Sequence, residues 1–349
     1  MPPNSLRTPR LRVLSNNTLL PGVLSAEITS NNHYAADRFR LTLQVSAIDA
    51  NTWSATPEAL LDIQFSLDGF SWTSLLQGEV DQLHLDPRRL QLTLEGRDLT
   101  ARLIQARTQE TFANQTSSEI ASALAARHGL TANVSHTTTP AGTYWQLEHD
   151  RIALDSFCRA VTEWDLLTTL AAHEGFDVWI AGTTLNFQPA PTALDPTAIL
   201  RPLPTPAGPA NIISIQLTRS LVLAGNIQVT VKSWNSRQAN SFTQTTQSPP
   251  SPSTAPVQTY TYVVPNLTPD AALKLAQTRL AELSRHERVI EVEMPGELTF
   301  TPRQQILLAG TNTAFDQIYW IDEITRQLDV HHGFTQRLKA RNTSTPAAT

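Results

Sequence analysis

Lysine is almost missing from this sequence. Lys232, Lys274 and Lys339 are the only three in 349 residues, and the net charge is -5. No run of basic residues occurs, whereas a dedicated nucleic-acid binder carries a basic face. Specific nucleic-acid binding is therefore not expected. Cysteine is equally scarce. Cys158 is the single one, so no intrachain disulfide can form, which fits folding in a reducing compartment. It follows Phe157 beside an apolar helix start and reads as a small buried hydrophobe rather than a nucleophile. The N-terminal Met1-Pro2-Pro3-Asn4 has no apolar signal core. No stretch approaches the roughly 20 apolar residues of a membrane span. Neither export by a standard signal nor membrane insertion is expected. Charged residues make up 16% and hydrophobic residues 40%. That composition describes a globular protein with a largely uncharged polar surface and a substantial core.

What is present is alternation. Phe39, Leu41, Leu43 and Val45 alternate with polar residues, as do Leu61, Ile63, Phe65 and Leu67, and then Leu90, Leu92 and Leu94. A period of two places one face of a strand on a core. Asp68-Gly69 supplies a hairpin turn before Trp72–Leu76. Several short strands in about 90 residues predict a small barrel or sandwich. The texture then changes. Thr116-Ser-Ser-Glu119 is a capping-box pattern, followed at helical spacing by Ile120, Ala123, Leu124 and Arg127, with Gly129 placed to end the helix. A short strand is expected over 130–134. Thr162-Glu-Trp-Asp165 opens a second helix that carries Trp164, Leu167, Leu170 and Ala171 and stops at Gly175. Strands at Phe176–Ile180 and Leu185–Phe187 follow.

Seven prolines between residues 189 and 210 predict an extended connector. Strand patterns resume at Ile213–Leu217 and Ile227–Val231. Ser248-Pro-Pro-Ser-Pro252 marks an exposed loop. Thr268-Pro269-Asp270 starts a helix with Leu273, Ala276, Leu280 and Leu283 on its apolar stripe. Further strands are expected at Ile290–Met294, Ile306–Leu308, Tyr319–Ile324 and Gly333–Leu338. The fold class is thus mainly β with α/β insertions: two related small β-barrel domains plus a helix-strand insertion. The expected boundaries are 1–105 for the first barrel, 106–190 for the α/β insertion and 191–210 for the proline-rich connector. Residues 211–234 and 288–345 form the second barrel, interrupted by a loop and helix excursion at 235–287. The two barrels are linked by an echo. Val80-Asp81-Gln82-Leu83 returns as Ile321-Asp322-Glu323-Ile324.

Candidate chemistry is thin. His331 and His332 are adjacent, and neighbours on a strand point to opposite faces, so they are poor co-ligands of one metal. His128 and His173 sit at predicted helix ends, where histidine meets the final carbonyls well. Glu291 and Glu293 share a strand face, and paired carboxylates can hydrolyse glycosides. Their alternation with Ile290, Val292 and Met294 reads instead as a half-exposed strand. No phosphate loop, zincin helix or nucleophile elbow occurs. Trp145, Trp164, Trp179 and Trp320 read as core. Trp72 and Trp234 are open to a glycan-binding reading. Asp81 and Asp322 have two readings: solvent-facing positions, or carboxylates that pair with an arginine such as Arg97 or Arg326. No residue is assigned a catalytic, cofactor or metal role.

Several blocks carry a family resemblance: Gly78-Glu-Val-Asp81, Gly96-Arg-Asp-Leu-Thr-Ala-Arg-Leu103, Phe112-Ala-Asn-Gln-Thr-Ser-Ser-Glu119 and Thr162–Leu170 with Gly175-Phe176. Val231-Lys-Ser-Trp-Asn235, Met294-Pro-Gly-Glu297 and Tyr319-Trp-Ile-Asp322 complete the set. The chain resembles the baseplate hub proteins of contractile phage tails, the late control gene D family, similar to the hub portion of type VI secretion spike proteins. The resemblance implies a structural homotrimer without enzymatic activity or cofactor. Its pseudo-sixfold ring would join a hexameric tail tube to a trimeric spike. No needle, oligosaccharide-binding or lysozyme-like domain is appended, so the spike is expected as a separate protein. The tape-measure protein and other baseplate proteins are further expected contacts. The expected location is the virion baseplate, assembled in the host bacterial cytoplasm. The alternatives are the hub of a tailocin or phage-derived injection system and a tail-associated cell-wall hydrolase.

Overall fold

The computed structural model describes residues 7–108, 110, 112, 115–138, 140–141, 162–191, 193–221, 227–235, 240–247, 257–264, 267, 269–284 and 287–342. Cys158, Trp145 and the 248–252 loop lie outside them.

The first unit contains β1 (Arg10–Ser15), β2 (Thr18–Leu20), β3 (Val23–Asn31), β4 (Arg38–Gln44), helix α1 (Ala47–Ala55), β5 (Leu60–Ser66), β6 (Thr73–Asp86) and β7 (Gln91–Asp98). Alternation puts Ile28, Leu41, Leu43, Leu61, Ile63, Phe65, Leu92 and Leu94 into one core, all fully buried. At roughly 25 cal/mol per Å² of apolar surface removed from water, such a layer is the main stabilising term of the unit. Helix α1 has no strong apolar stripe and was not foreseen. Its start is set by a capping box in which the Ser46 side chain accepts from the Asp49 N–H and Asp49 returns the bond.

The insertion follows: α2 (Thr100–Gln105), β8 (Gln115–Thr116), α3 (Ser117–Arg127), β9 (Thr131–Val134), β10 (Pro140–Ala141), α4 (Glu163–Glu174), β11 (Phe176–Ala181) and β12 (Thr184–Pro189). The expected capping box forms at Thr116 with Glu119, and the helix start at Thr162 is closed by a second box with Asp165. Gly175 closes α4 in the left-handed region, at φ 73°. The helices lie on the three-stranded sheet β11-β12-β9 through Ile120, Leu124, Leu167, Leu170, Val178 and Phe187.

Beyond it come β13 (Ala198–Leu200), β14 (Ser214–Arg219), β15 (Ile227–Asn235), β16 (Asn240–Gln247), β17 (Gln258–Val263), α5 (Pro269–Ser284), β18 (Arg288–Pro295), β19 (Gln305–Leu308), β20 (Ile318–Asp329) and β21 (Gly333–Asn342). Two expectations are corrected here. The proline-rich connector contains a real strand, because Ala198–Leu200 pairs in parallel with Ile306–Leu308. Ile227–Asn235 does not belong to the second unit. It pairs with β16 and β17 in a separate small sheet, and its Ile227, Val229 and Val231 pack with Ala272 and Ala276 of α5. Alternation gives a strand's period but not which sheet it joins.

The remaining strands form one thirteen-stranded sheet with the order β14-β18-β21-β20-β3-β4-β7-β6-β5-β1-β2, to which β19 adds on β20 and β13 on β19. No closed barrel forms among the described residues. Instead two related six-stranded halves are joined through β3 and β20. The first is β3-β4-β7-β6-β5-β1 and the second is β14-β18-β21-β20-β19-β13. Five strands of each half correspond in chain order and direction, the sixth pair differs because β1 runs antiparallel to β5 and β13 parallel to β19, and the halves cover separate cores. In the first half β1 returns against β3 without pairing with it.

Candidate functional site

The duplicated hairpins β6-β7 and β20-β21 are the best-defined features of the two halves. Each has one register shift, between Val80 and Gln82 against β7 and between Ile321 and Glu323 against β21. The extra residue is therefore Asp81 in one hairpin and Asp322 in the other. A bulge leaves one residue unpaired and turns it out of the ladder. An arginine on the neighbouring strand holds that residue in both cases. Arg97 grips Asp81 through two bonds, Nε to Oδ2 at 2.6 Å and a terminal nitrogen to Oδ1 at 2.8 Å. Arg341 places Nε 3.0 Å from Oδ1 of Asp322. Arg97 lies opposite Glu79 and Arg341 opposite Trp320, each two residues before the bulged aspartate. The paired reading thus holds for both aspartates. Arg97 was the right partner, but Asp322 takes Arg341 rather than Arg326. The hairpin tips use the same device, two residues further along in the second hairpin. Asp86 accepts the N–H groups of Arg88 and Arg89, and Asp329 accepts those of His331 and His332.

These pairs explain the Gly96-Arg97-Asp98 block. A Cβ on Gly96 would lie 2.0 Å from the Glu79 carbonyl oxygen and 2.5 Å from the Phe39 ring, so the position admits only glycine. Arg97 serves the bulge. Asp98 is buried, bonds Thr100 Oγ1 at 2.8 Å through one oxygen, and has no hydrogen bond to the other among the described residues.

Asp98 also opens onto the second feature, a cleft of about 730 Å³ where the two halves and the insertion meet. It gathers Asp37 and Asp98 from the first half, Asp177 and Trp179 from the insertion, and Arg303 and Arg326 from the second half. Burial raises the Asp37 carboxyl to about 6. Burial, then the nearby Asp37 charge, raises Asp98 to about 8. The same desolvation lowers Arg303, and it lowers Arg326 to about 10. Arg326 is 3% exposed and donates to the carbonyls of Glu297, at 3.1 Å, and Phe300. Arg303 sits 5.1 Å over the Trp179 ring, and Trp164 Nε1 donates to the Tyr34 carbonyl at 2.6 Å. The insertion is thereby held to both halves. Nothing local marked this cluster, because its residues come from segments as distant as 37 and 326.

The other candidates are dispersed. His332 Nδ1 lies 3.0 Å from Asp329 in the exposed hairpin turn. His128 is the C-cap of α3 and pairs with buried Glu163. His173 is in the last turn of α4. Glu291 faces Lys339 at 3.8 Å and Glu293 accepts from Ser214 Oγ at 3.1 Å, each across a strand pair. Trp164 is buried, Trp179 and Trp320 are half-buried, Arg12 covers Trp72, and Trp234 is 51% exposed.

The third feature is a pair of open edges. β14 ends the sheet, and the Gln82–Asp86 part of β6 pairs only with β7 among the described residues. Inside the chain the counterparts of these two edges are joined, as β3 to Glu323–Leu328 of β20. Duplicated halves, matched hairpins and complementary edges define a β protein built from two copies of one unit.

The comparisons place that class. The sequence matches the phage tail baseplate hub (GPD) family over residues 36–329. The chain belongs to this family of structural proteins of the bacteriophage tail baseplate. No curated protein matches it. Its fold is similar to that of a tail protein from Neisseria meningitidis MC58, with TM-score 0.71, 16% identity and 96% of each chain covered. It is also similar to a 43 kDa tail protein of prophage MuSo2 from Shewanella oneidensis, with TM-score 0.67 and 15% identity over 97% of this chain and 100% of that one. The Escherichia coli c3393 protein, a component of the type VI secretion system, shares the fold with TM-score 0.54 and 12% identity over 96% and 80%.

Proposed function

We propose that this chain is the non-enzymatic hub of a contractile tail baseplate and acts as a homotrimer. Three chains contribute six similar halves, so one face can meet a hexameric tail tube and the other a trimeric spike. The observation that supports this most directly is the equivalence in order and direction of five strands in each half, with the bulge and its arginine kept in both. A duplicated unit in a threefold assembly is the simplest way to present six quasi-equivalent positions. Asp81 and Asp322 are scaffold in this reading, since each fixes the register of its own hairpin. Electron microscopy of the purified protein, alone and with the tail tube protein of the same particle, tests it. Rings with six lobes that cap tube ends are expected. Single chains that leave the tube ends bare would overturn it.

A further inference from the structure

The junction between the two halves is a template for a contact that the single chain leaves unmade. Within the chain, β3 pairs antiparallel with β20 in the register Ser30 to Ile324, Thr29 to Thr325, Ile28 to Arg326 and Glu27 to Gln327. The hairpin registers map β20 onto β6 and β3 onto β14. Ile324, Thr325, Arg326 and Gln327 become Leu83, His84, Leu85 and Asp86. Glu27, Ile28, Thr29 and Ser30 become Gln216, Leu217, Thr218 and Arg219.

We propose that β14 of one copy adds to β6 of the next copy, with Arg219 opposite Leu83, Thr218 opposite His84, Leu217 opposite Leu85 and Gln216 opposite Asp86. Burial supports it. Ala26 and Ile28 on β3, and Ile324 and Arg326 on β20, are buried where the internal junction covers them. Their counterparts Ile215, Leu217, Leu83 and Leu85 are only half-buried. Both edges are apolar on alternate residues and open along the backbone, and a strand edge in that state invites another strand. The contact is head-to-tail, with different surfaces meeting, so it propagates from copy to copy and closes as a ring at the right rotation. The occupant is a second copy because the chain already carries both complementary edges and one worked example of their union.

This deepens the ring reading and rests on it. A Cys158→Ala background carrying Thr218→Cys and His84→Cys tests it. The internal template is favourable, since Thr29 Oγ1 and Thr325 Oγ1 lie 3.3 Å apart. A Thr29→Cys, Thr325→Cys protein is thus the positive control and should give an intrachain disulfide. On mild oxidation the Thr218→Cys, His84→Cys protein is expected to run as covalent multimers up to three chains, with neither single variant doing so. A protein trimeric by light scattering that gives no such bond, while the control closes, would overturn the strand pairing and leave the ring. A protein monomeric by light scattering would overturn the ring itself. Hydrogen exchange of the unaltered protein gives a second readout. Slow exchange is expected for the amides in 82–86 and 214–219 that point away from β7 and β18, and exchange of those amides as fast as in exposed loops would contradict the pairing.

Discussion

The two halves share a strand plan but are held by different chemistry. In the second half Asp322 is 5% exposed and its arginine is also largely buried. In the first half Asp81 and Arg97 are each about three-tenths exposed. The internal junction is polar at its centre, where Arg326 reaches two backbone carbonyls beside Asp37. The corresponding position at the open edge is Leu85, and Asp37 corresponds to Arg288. A duplicated unit has thus acquired two kinds of edge. One is specified by buried charge and used inside the chain, and the other is apolar and unpaired among the described residues. Buried polar groups of this kind discourage wrong pairings, because a mismatch strands a charge.

Five substitutions would break or sharpen this contrast. Arg326→Leu makes the internal junction resemble the open one and leaves the Glu297 and Phe300 carbonyls without their donor. A loss of about 4 kcal/mol in urea unfolding is expected. Asp322→Ala removes the partner of a largely buried arginine and should cost about 3 kcal/mol. Asp81→Ala, at the exposed counterpart, should cost below about 1 kcal/mol. Equal losses would erase the distinction between the hairpins. Gly96→Ala should lower stability by about 2 kcal/mol, because the Glu79 carbonyl and the Phe39 ring leave no space. The counterpart of Gly96 is Ala340, which faces Ile290. There Ala340→Gly should cost about 1 to 2 kcal/mol, from backbone freedom and the loss of a buried methyl.

Asp98→Asn should have the smallest effect at low pH. The folded chain holds the Asp98 proton up to about 8, whereas the unfolded chain releases it near 3.8. The folded state therefore binds more protons between those values, and wild-type stability should fall as pH rises through that window. The asparagine variant lacks this slope. Thermal unfolding of the two proteins at pH 4.5 and pH 8 should show them closest at the lower pH and the variant gaining at the higher. A gap that stays constant with pH would mean that Asp98 is ionised throughout.

Much of this could be read in the sequence where the signal is local. The Asp81 and Asp322 echo, the Thr116 capping box, the helix start at Thr162 and the Asp68-Gly69 turn are short patterns with fixed geometry. Asp68 accepts the Phe70 and Ser71 N–H groups at 2.8 Å and 2.7 Å, and Gly69 takes φ 82°. What could not be read depends on distance along the chain. Arg326 is one of the arginines named for such a pair, but it lies four residues from Asp322, which at about 3.3 Å per residue is too far along one strand. Arg341 is across the hairpin, and only the register shows it. The placement of Ile227–Asn235 in its own sheet and the meeting of Asp37, Asp98, Arg303 and Arg326 are long-range in the same sense. Helix α1 was hidden because Ile48 faces solvent and its apolar pattern is weak.

The central claim is that one chain carries two copies of a unit and that three chains close the set. Light scattering across a hundredfold dilution series tests it most directly. A mass near three times 38.5 kDa is expected, stable at micromolar concentration. A mass of 38.5 kDa at every concentration would contradict it.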